Sequence, residues 1–241
     1  MKKLIIENDF WDLFPEASLA VLVTEKSEKN ISQEELNEIK SILDKANEKA
    51  NDYLKEEELS NNPVIKVWRE AYKKFPGKKG ARCSVENLLK RVKNGNPVGT
   101  ILPSVDITNA ISLEYALPIG AEDIDKIDGN LVLGRMNGTE PFMPIGSEKD
   151  EPPLPGEIAY KDNTGVVCRC LNWRDGQRTQ ITDATTKEFI VMECLEKDRQ
   201  KDLENALNDL EKYLTKYIGS KILKKEILTI NKKEIVLEDY E

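Results

Sequence analysis

VDITNAISLEYALPIGAEDID, from Val105 to Asp125, is the stretch whose reading decides the fold. Val105, Ile107, Ile111, Leu113 and Leu117 recur at helical spacing, with Asp106, Asn109 and Glu114 set among them. A solvated helix would carry interchangeable Lys and Glu at such positions. Asn and Asp on a buried side must find partners, because an unpaired buried polar group is costly. The segment therefore reads as a helix opened by Ser104 and ending near Leu117-Pro118. It is either a pocket wall or a core helix with satisfied caps. The acidic run AEDIDKID after Gly120 fits no calcium-loop spacing and reads as capping and surface.

Upstream, Met1 to Ile6 and SLAVLVT (Ser18–Thr24) read as strands, the second buried. Ser32 with Glu35 forms a capping-box signature for a long helix. Asn62-Pro63 starts another helix, and Ser84 is placed as the N-cap of a third. Downstream, Leu131–Met136, Gly156–Asp162, Val166–Trp173 and Glu188–Leu195 read as strands, with a hairpin tip at Asp162–Gly165. A helix from Asp198 stops at Gly219, and two strand-like runs close the chain. The pattern predicts one α+β domain: a mixed β-sheet core flanked by amphipathic helices. Residues 1–62 are expected to form an extension packed on a 63–195 core, with 196–241 adding a helix and a hairpin.

The net charge of −8 disfavours nucleic acid unless a basic face is set apart. Such a face exists. Lys66 to Lys93 holds ten basic and two acidic side chains, a local +8 that leaves −16 for the rest. Arg69, Lys73, Lys78, Arg82 and Arg91 are the candidates to hold phosphate; the alternative is a solvated helical pair. No apolar run is long enough to span a bilayer and no signal peptide is seen, so a cytoplasmic location and no membrane partner are expected.

The chain has no histidine. That excludes Ser-His and Cys-His dyads, histidine general bases and His-containing zinc sites. Cys168 and Cys170 are two apart in a strand-like run and read as packed thiols on one face. No metal and no cofactor are expected, and nucleotide-binding glycine motifs are missing. In RCLNWRDGQRTQITDAT (Arg169–Thr185) three arginines lie beside Trp173, Thr179, Thr182 and Thr185. Arg174 and Arg178 could clamp an anion while the indole stacks on a ring. The alternative is a surface hairpin whose arginines pair with Asp175 and Asp183.

Taken in order, VWREAYKKF, SVENLLKRV, the Val105–Asp125 stretch, LVLGRMNGTEPFMPIG, PGEIAYKD and the Arg169–Thr185 segment resemble a known family. They look like the free-standing relatives of the B-three/B-four domain of the bacterial phenylalanyl-tRNA synthetase beta subunit. The likeness runs from about Val64 to Leu195. It implies an α+β fold, tRNA as partner through its aminoacylated 3′ end and acceptor stem, and hydrolysis of a misacylated tRNA in trans. Under the resemblance, Asp106, Asn109 and Glu114 form one pocket wall, and Arg178, Thr179, Gln180 and Thr185 the facing loop. Asn109, Glu114 and Thr185 are the catalytic candidates; Asp106, Trp173, Arg174, Arg178, Thr179 and Gln180 would bind substrate. The synthetase's glycine-rich stretch is replaced by Asn172-Trp173-Arg174-Asp175, and its pocket histidine is missing. Both departures point to another amino acid, or to an RNA-binding or amino-acid-sensing module without hydrolysis. A partner role in translation through the Ser32 or Asp198 helix is a third class.

Overall fold

The computed structural model describes residues 1–239. Its centre is the apolar run that begins at Ser18. β1 (Lys2–Ile6) and β2 (Ser18–Glu25) enter different sheets. β2 is buried along nearly its whole length because both of its faces are covered. Leu19, Val21 and Val23 point into the main core, while Ala20 and Leu22 point into a second one. Alternation is invisible in such a strand, which is why its sequence is continuously apolar.

Eight further strands complete the sheets: β3 (Ile119–Asp123), β4 (Leu131–Arg135), β5 (Ile158–Lys161), β6 (Val166–Arg169), β7 (Arg174–Asp175), β8 (Lys187–Cys194), β9 (Lys221–Leu228) and β10 (Glu234–Glu238). One sheet is six-stranded in the order β10-β1-β4-β5-β6-β7, mixed because β1 and β4 run parallel. The other is four-stranded and antiparallel, β3-β8-β2-β9. The α+β class is as expected, but the core is shared between two sheets. The two tail runs are not a simple hairpin: β9 pairs with β2 and β10 with β1, so the chain crosses between sheets. Residues 1–62 and 196–241 together supply β1, β2, β9 and β10.

The sheets face each other across a core that includes Leu4, Leu133, Val21, Phe189 and Val191. Fully burying each such side chain contributes about 1.5–3 kcal/mol. The back of the four-stranded sheet is covered by helices. α1 (Asn8–Leu13) precedes β2, and α2 (Gln33–Lys49) has the full capping box, Ser32 Oγ accepting from Glu35 N. α3 (Pro63–Ala71) starts on its proline, and α4 (Ser84–Lys93) and α5 (Pro103–Tyr115) follow. α6 (Gln200–Tyr213) is reached through a short 3-10 turn, and after a π turn Gly219 closes it at φ 73°. Ile107 and Ile111 of α5 meet Ile190 and Leu207, while Ala110 and Leu113 join the main core. The stretch read first is therefore a helix buried on two sides.

Four local readings are corrected. Ser84 is not the N-cap of α4; Cys83 is, and Ser84 is the first helical residue. The strand from Val166 stops at Arg169, because Cys170 and Leu171 turn left-handed at φ 48° and 62°. Cys168 and Cys170 are both buried but do not share one strand face. The acidic run after Gly120 is surface and cap only in part: Asp125 and Asp128 are exposed and Asp123 caps a 3-10 turn, but Glu122 and Asp123 are the buried end of β3.

Candidate functional site

Two hollows lie side by side. The first is between the sheets. Antiparallel pairing sets Gly120 against Val191 and Glu122 against Phe189, so these four share one face of the β3–β8 ladder. Period two then brings Glu193 onto the same face. Leu131, Tyr160 and Val167 close the cavity from the six-stranded sheet, and Ser84, Asn172 and Trp173 complete it. Gly120 has no side chain to fill the space over Val191; the nearest atom to a Cβ there would be Val191 Cγ1 at 3.7 Å. The space a water molecule's centre can reach is about 30 Å³, room for roughly two small groups.

Its polar lining is one-sided. Glu122, Asp175 and Glu193 contribute carboxyls, and no Lys or Arg lines it. Glu193 is held by Tyr160 Oη, which donates at 2.7 Å, and by Asn172 Nδ2 at 3.3 Å. Burial still pushes its carboxyl up to about 7. Glu122 is raised well above the carboxylate range, by burial first and by the neighbouring Asp175 second. Desolvation raises Asp175 as well. Oε2 of Glu122 and the hydroxyl of Ser84 are buried without a hydrogen-bond partner. Thr179 Oγ1 is adjacent to Glu122 and eases its pKa slightly, but neither atom completes a bond of good geometry. Orphaned buried polar atoms are rare in folded proteins, so the two on the cavity lining, Glu122 Oε2 and Ser84 Oγ, mark it as a place for a polar guest.

The loop beneath is firmly tied. Arg169 Nε and Nη2 donate to Glu157 Oε1 and Oε2, both at 2.9 Å, and the pair is 3% and 0% exposed. Glu157 also accepts from Cys170 N and Leu154 N at 3.0 Å each. This anchor holds the left-handed pair Cys170-Leu171, which delivers Asn172 and Trp173 to the cavity.

The second hollow is a cationic bowl of about 470 Å³. Lys66, Arg69, Lys73, Lys78 and Arg82 line it with Glu70, which pairs with Lys73, while Glu151 pairs with Lys78 and Glu86 with Arg69 and Arg82. Tyr72 belongs to the bowl, and its hydroxyl donates to Asn172 Oδ1 at 2.9 Å. Lys78 Nζ lies 5.8 Å from the Trp173 ring centroid. One hydrogen-bond link thus separates the bowl from the carboxyl cavity.

The residues chosen from the sequence divide between these hollows and the scaffold. Lys73, Lys78 and Arg82 face the bowl. Arg69 does too, but its Nε and Nη2 donate to the buried Glu86 at 2.8 and 2.5 Å, leaving one nitrogen free of that pair. Arg91 lies outside the bowl and donates to Pro97 O at 3.3 Å. Trp173 lines the cavity, with Arg174 exposed 5.7 Å from its ring centroid. Arg178 is not an open phosphate clamp: it donates to Asp162 Oδ1 at 2.7 Å and to Lys126 O at 2.8 Å, fixing the β5–β6 hairpin. Thr185 donates to Asp123 Oδ2 at 2.9 Å, a loop tie. Gln180 is half-buried and lines neither hollow.

Asp106, Asn109 and Glu114 line neither hollow, because α5 is turned toward α2 and α6 rather than toward the cavity. Asp106 accepts from Ile101 N at 2.6 Å and secures the first turn of α5. Glu114 forms an ion pair with Lys49 at 2.8 Å. The start of α5 (Pro103, Ser104) and the loop residues Thr182 and Asp183 share only a small crevice, and Asp106, Asn109 and Glu114 do not line it.

Residues 67–233 match the model of the B3/4 domain. The chain belongs to the B3/4 domain family. It is 30% identical over 95 residues to a phenylalanine–tRNA ligase beta subunit of Fusobacterium nucleatum, an alignment covering 39% of this chain and 11% of that one. An N-terminal fragment of the phenylalanyl-tRNA synthetase beta subunit from Pyrococcus horikoshii superposes with a TM-score of 0.47 at 14% identity. It covers 91% of this chain and 49% of the fragment. The chain thus spans only a small part of the curated relative's length. The B3/4 match takes in β3 to β9, the cavity and all of the bowl but Ser60, Asn61 and Lys66, yet β8 is completed by β2 from outside it.

Glu122, Asp175, Glu193, Tyr160, Ser84 and Asn172 escaped the sequence reading as site residues. One signal was available. In EFIVMEC, Phe189, Val191 and Glu193 occupy one face of a buried strand, and an acid there requires a partner or a ligand. Among the described residues no group of His, Cys, Asp or Glu is gathered closely enough to hold a metal ion. No helix among them is long and apolar enough to cross a membrane.

Proposed function

We propose that the chain binds the aminoacylated 3′ end of a tRNA and hydrolyses the ester in trans. The observation that carries this reading is the adjacency of the two hollows: cations fit for phosphates beside a carboxyl-lined cavity whose polar atoms lack partners. The family relationship to phenylalanine–tRNA ligase beta subunits agrees with RNA as the partner.

On this reading Lys73, Lys78 and Arg82 hold backbone phosphates, and Trp173 stacks on the terminal base. The aminoacyl group enters between the sheets. Asp175, partly exposed and raised by desolvation, acts as general base. Water attacks the ester carbonyl as its proton passes to Asp175. The C–O bond to the ribose then breaks and the departing oxygen takes up a proton. The Ser84 hydroxyl, unpartnered at the N-terminus of α4, donates to the developing oxyanion, where the helix dipole also favours negative charge.

The test is deacylation of a panel of mischarged tRNAs. Asp175→Asn should lower kcat on the best substrate about 100-fold or more while leaving RNA affinity within about twofold. No hydrolysis of any pair by the wild-type chain overturns the enzyme reading. Steeply salt-dependent tRNA binding without hydrolysis would establish a binding module instead.

A further inference from the structure

We propose that the intersheet cavity is a selector for a protonated amine whose carboxyl is blocked, an aminoacyl ester or amide, with the ammonium seated against Glu122, and that it rejects the free amino acid. The inference rests on the reading above only in treating the cavity as the aminoacyl subsite.

The lining chemistry argues for a cation. Glu122, Asp175 and Glu193 surround the space and no basic side chain enters it. Glu122 is 3% exposed, and its Oε2 has no partner. Glu193 differs, being engaged by Tyr160 and Asn172. Glu122 is thus the carboxyl with an oxygen left to give. An ammonium can donate three hydrogen bonds and accept none, so it complements a site of acceptors. It would also return Glu122 to its ionised form, since a nearby opposite charge favours ionisation. The three carboxyls do not gather as a metal-binding group does, which favours an organic cation.

Size and shape agree. The reachable volume of about 30 Å³ takes the ammonium and the carbon bearing it, not a large side chain. Gly120, Val191 and Phe189 give that carbon an apolar wall. Ser84, Ile119, Gly120, Trp173 and Asp175 are the partly exposed lining residues, so the rest of the ligand extends past this rim.

The carboxyl decides the selectivity. In an ester or amide it is a neutral carbonyl, and the ligand carries a net positive charge. In the free amino acid it is an anion held close to the ammonium, and it would meet Asp175 and Glu122 with no cation in the cavity to offset it. Hydrolysis therefore converts a ligand the cavity attracts into one it repels, and the product leaves. An N-acylated ligand lacks the charge and should not enter.

The experiment is calorimetric titration of the full chain with a panel of amino-acid amides, each beside its free acid and its N-acetyl amide. At least one amide should bind about tenfold or more tightly than its acid, and its N-acetyl form should show no binding. Glu122→Gln keeps the shape and removes the charge; it should weaken that amide about tenfold and bring the amide-to-acid ratio toward one. The proposal is overturned if acid and amide bind alike, if the N-acetyl amide binds equally, if Glu122→Gln leaves the ratio unchanged, or if no amide binds. Ester hydrolysis without amide selectivity would sink this inference and spare the enzyme reading. Amide selectivity without hydrolysis would do the reverse.

Discussion

The two hollows handle charge in opposite ways. The bowl keeps its cations near the surface, where Lys73 and Lys78, 69% and 45% exposed, are held only by solvent-screened ion pairs with Glu70 and Glu151. The cavity draws its carboxyls out of water and so pushes them toward neutrality. A surface cation attracts at long range and is weakened by salt. A buried acid acts only on contact, and salt barely reaches it. Under the proposed function, the pair would combine loose capture of a polyanion with strict inspection of its tip. Their junction is Tyr72–Asn172, a single hydrogen bond.

The largest effect expected is on that junction. Glu157→Ala leaves Arg169 charged, buried and unpaired beneath the loop that carries Asn172 and Trp173. Stability should fall by about 3–5 kcal/mol in chemical denaturation, and binding at both hollows should fail together. If one hollow survives intact, the two are not built on a common anchor.

Next is the pH dependence of the cavity. Glu193 sits at about 7 in the folded protein against 4.5 without the fold. Its contribution is full below pH 4.5 and is lost as pH rises through 7, because the unfolded chain releases the proton first. The loss is of the order of about 3 kcal/mol. Glu193→Gln should flatten the fall in stability between pH 4.5 and 7. It also disturbs the Asn172 contact, so the slope, not the absolute stability, is the readout. An unchanged slope would mean the carboxyl is not held neutral.

Charge reversal in the bowl should be milder and selective. Lys73→Glu with Lys78→Glu should weaken tRNA binding about 10- to 100-fold and flatten its salt dependence. Amide binding in the cavity should not move. Loss of both with Lys78→Glu but not with Lys73→Glu would mean the hollows are coupled through the Lys78–Trp173 contact as well as the Tyr72 link.

The smallest effects belong to α5. Glu114→Gln removes a partly exposed ion pair and should cost no more than about 1 kcal/mol. Asn109→Ala should leave hydrolysis and amide binding within about twofold. A tenfold loss on either substitution would restore α5 as a wall of the site.

Much of the fold was legible from local pattern. The Ser32–Glu35 box, Pro63, Gly219 and the Asp162–Gly165 hairpin each act through neighbours in sequence, and each forms as read. The partition into two sheets was not legible. β2 is apolar on both faces, so its sequence does not say which strands flank it, and the split of β9 from β10 depends on partners at the far end of the chain. The site was half legible. The bowl announced itself as a charge run because surface cations are dense in sequence. The cavity acids come from three separate strands, and only register brings Glu122, Asp175 and Glu193 together. Asp106 misled for a physical reason: a buried polar group needs a partner, and the nearest backbone amide served.

The register of β2 has a kinetic consequence. Ser18 pairs with Cys194 and Leu19 with Leu228, so the four-stranded sheet closes only when distant parts of the chain meet. Non-local strand pairing slows folding, since loop closure precedes any reward. The strand that carries Phe189, Val191 and Glu193 is the one waiting for β2. A nascent chain would therefore hold its cationic helices early and gain its intersheet cavity last.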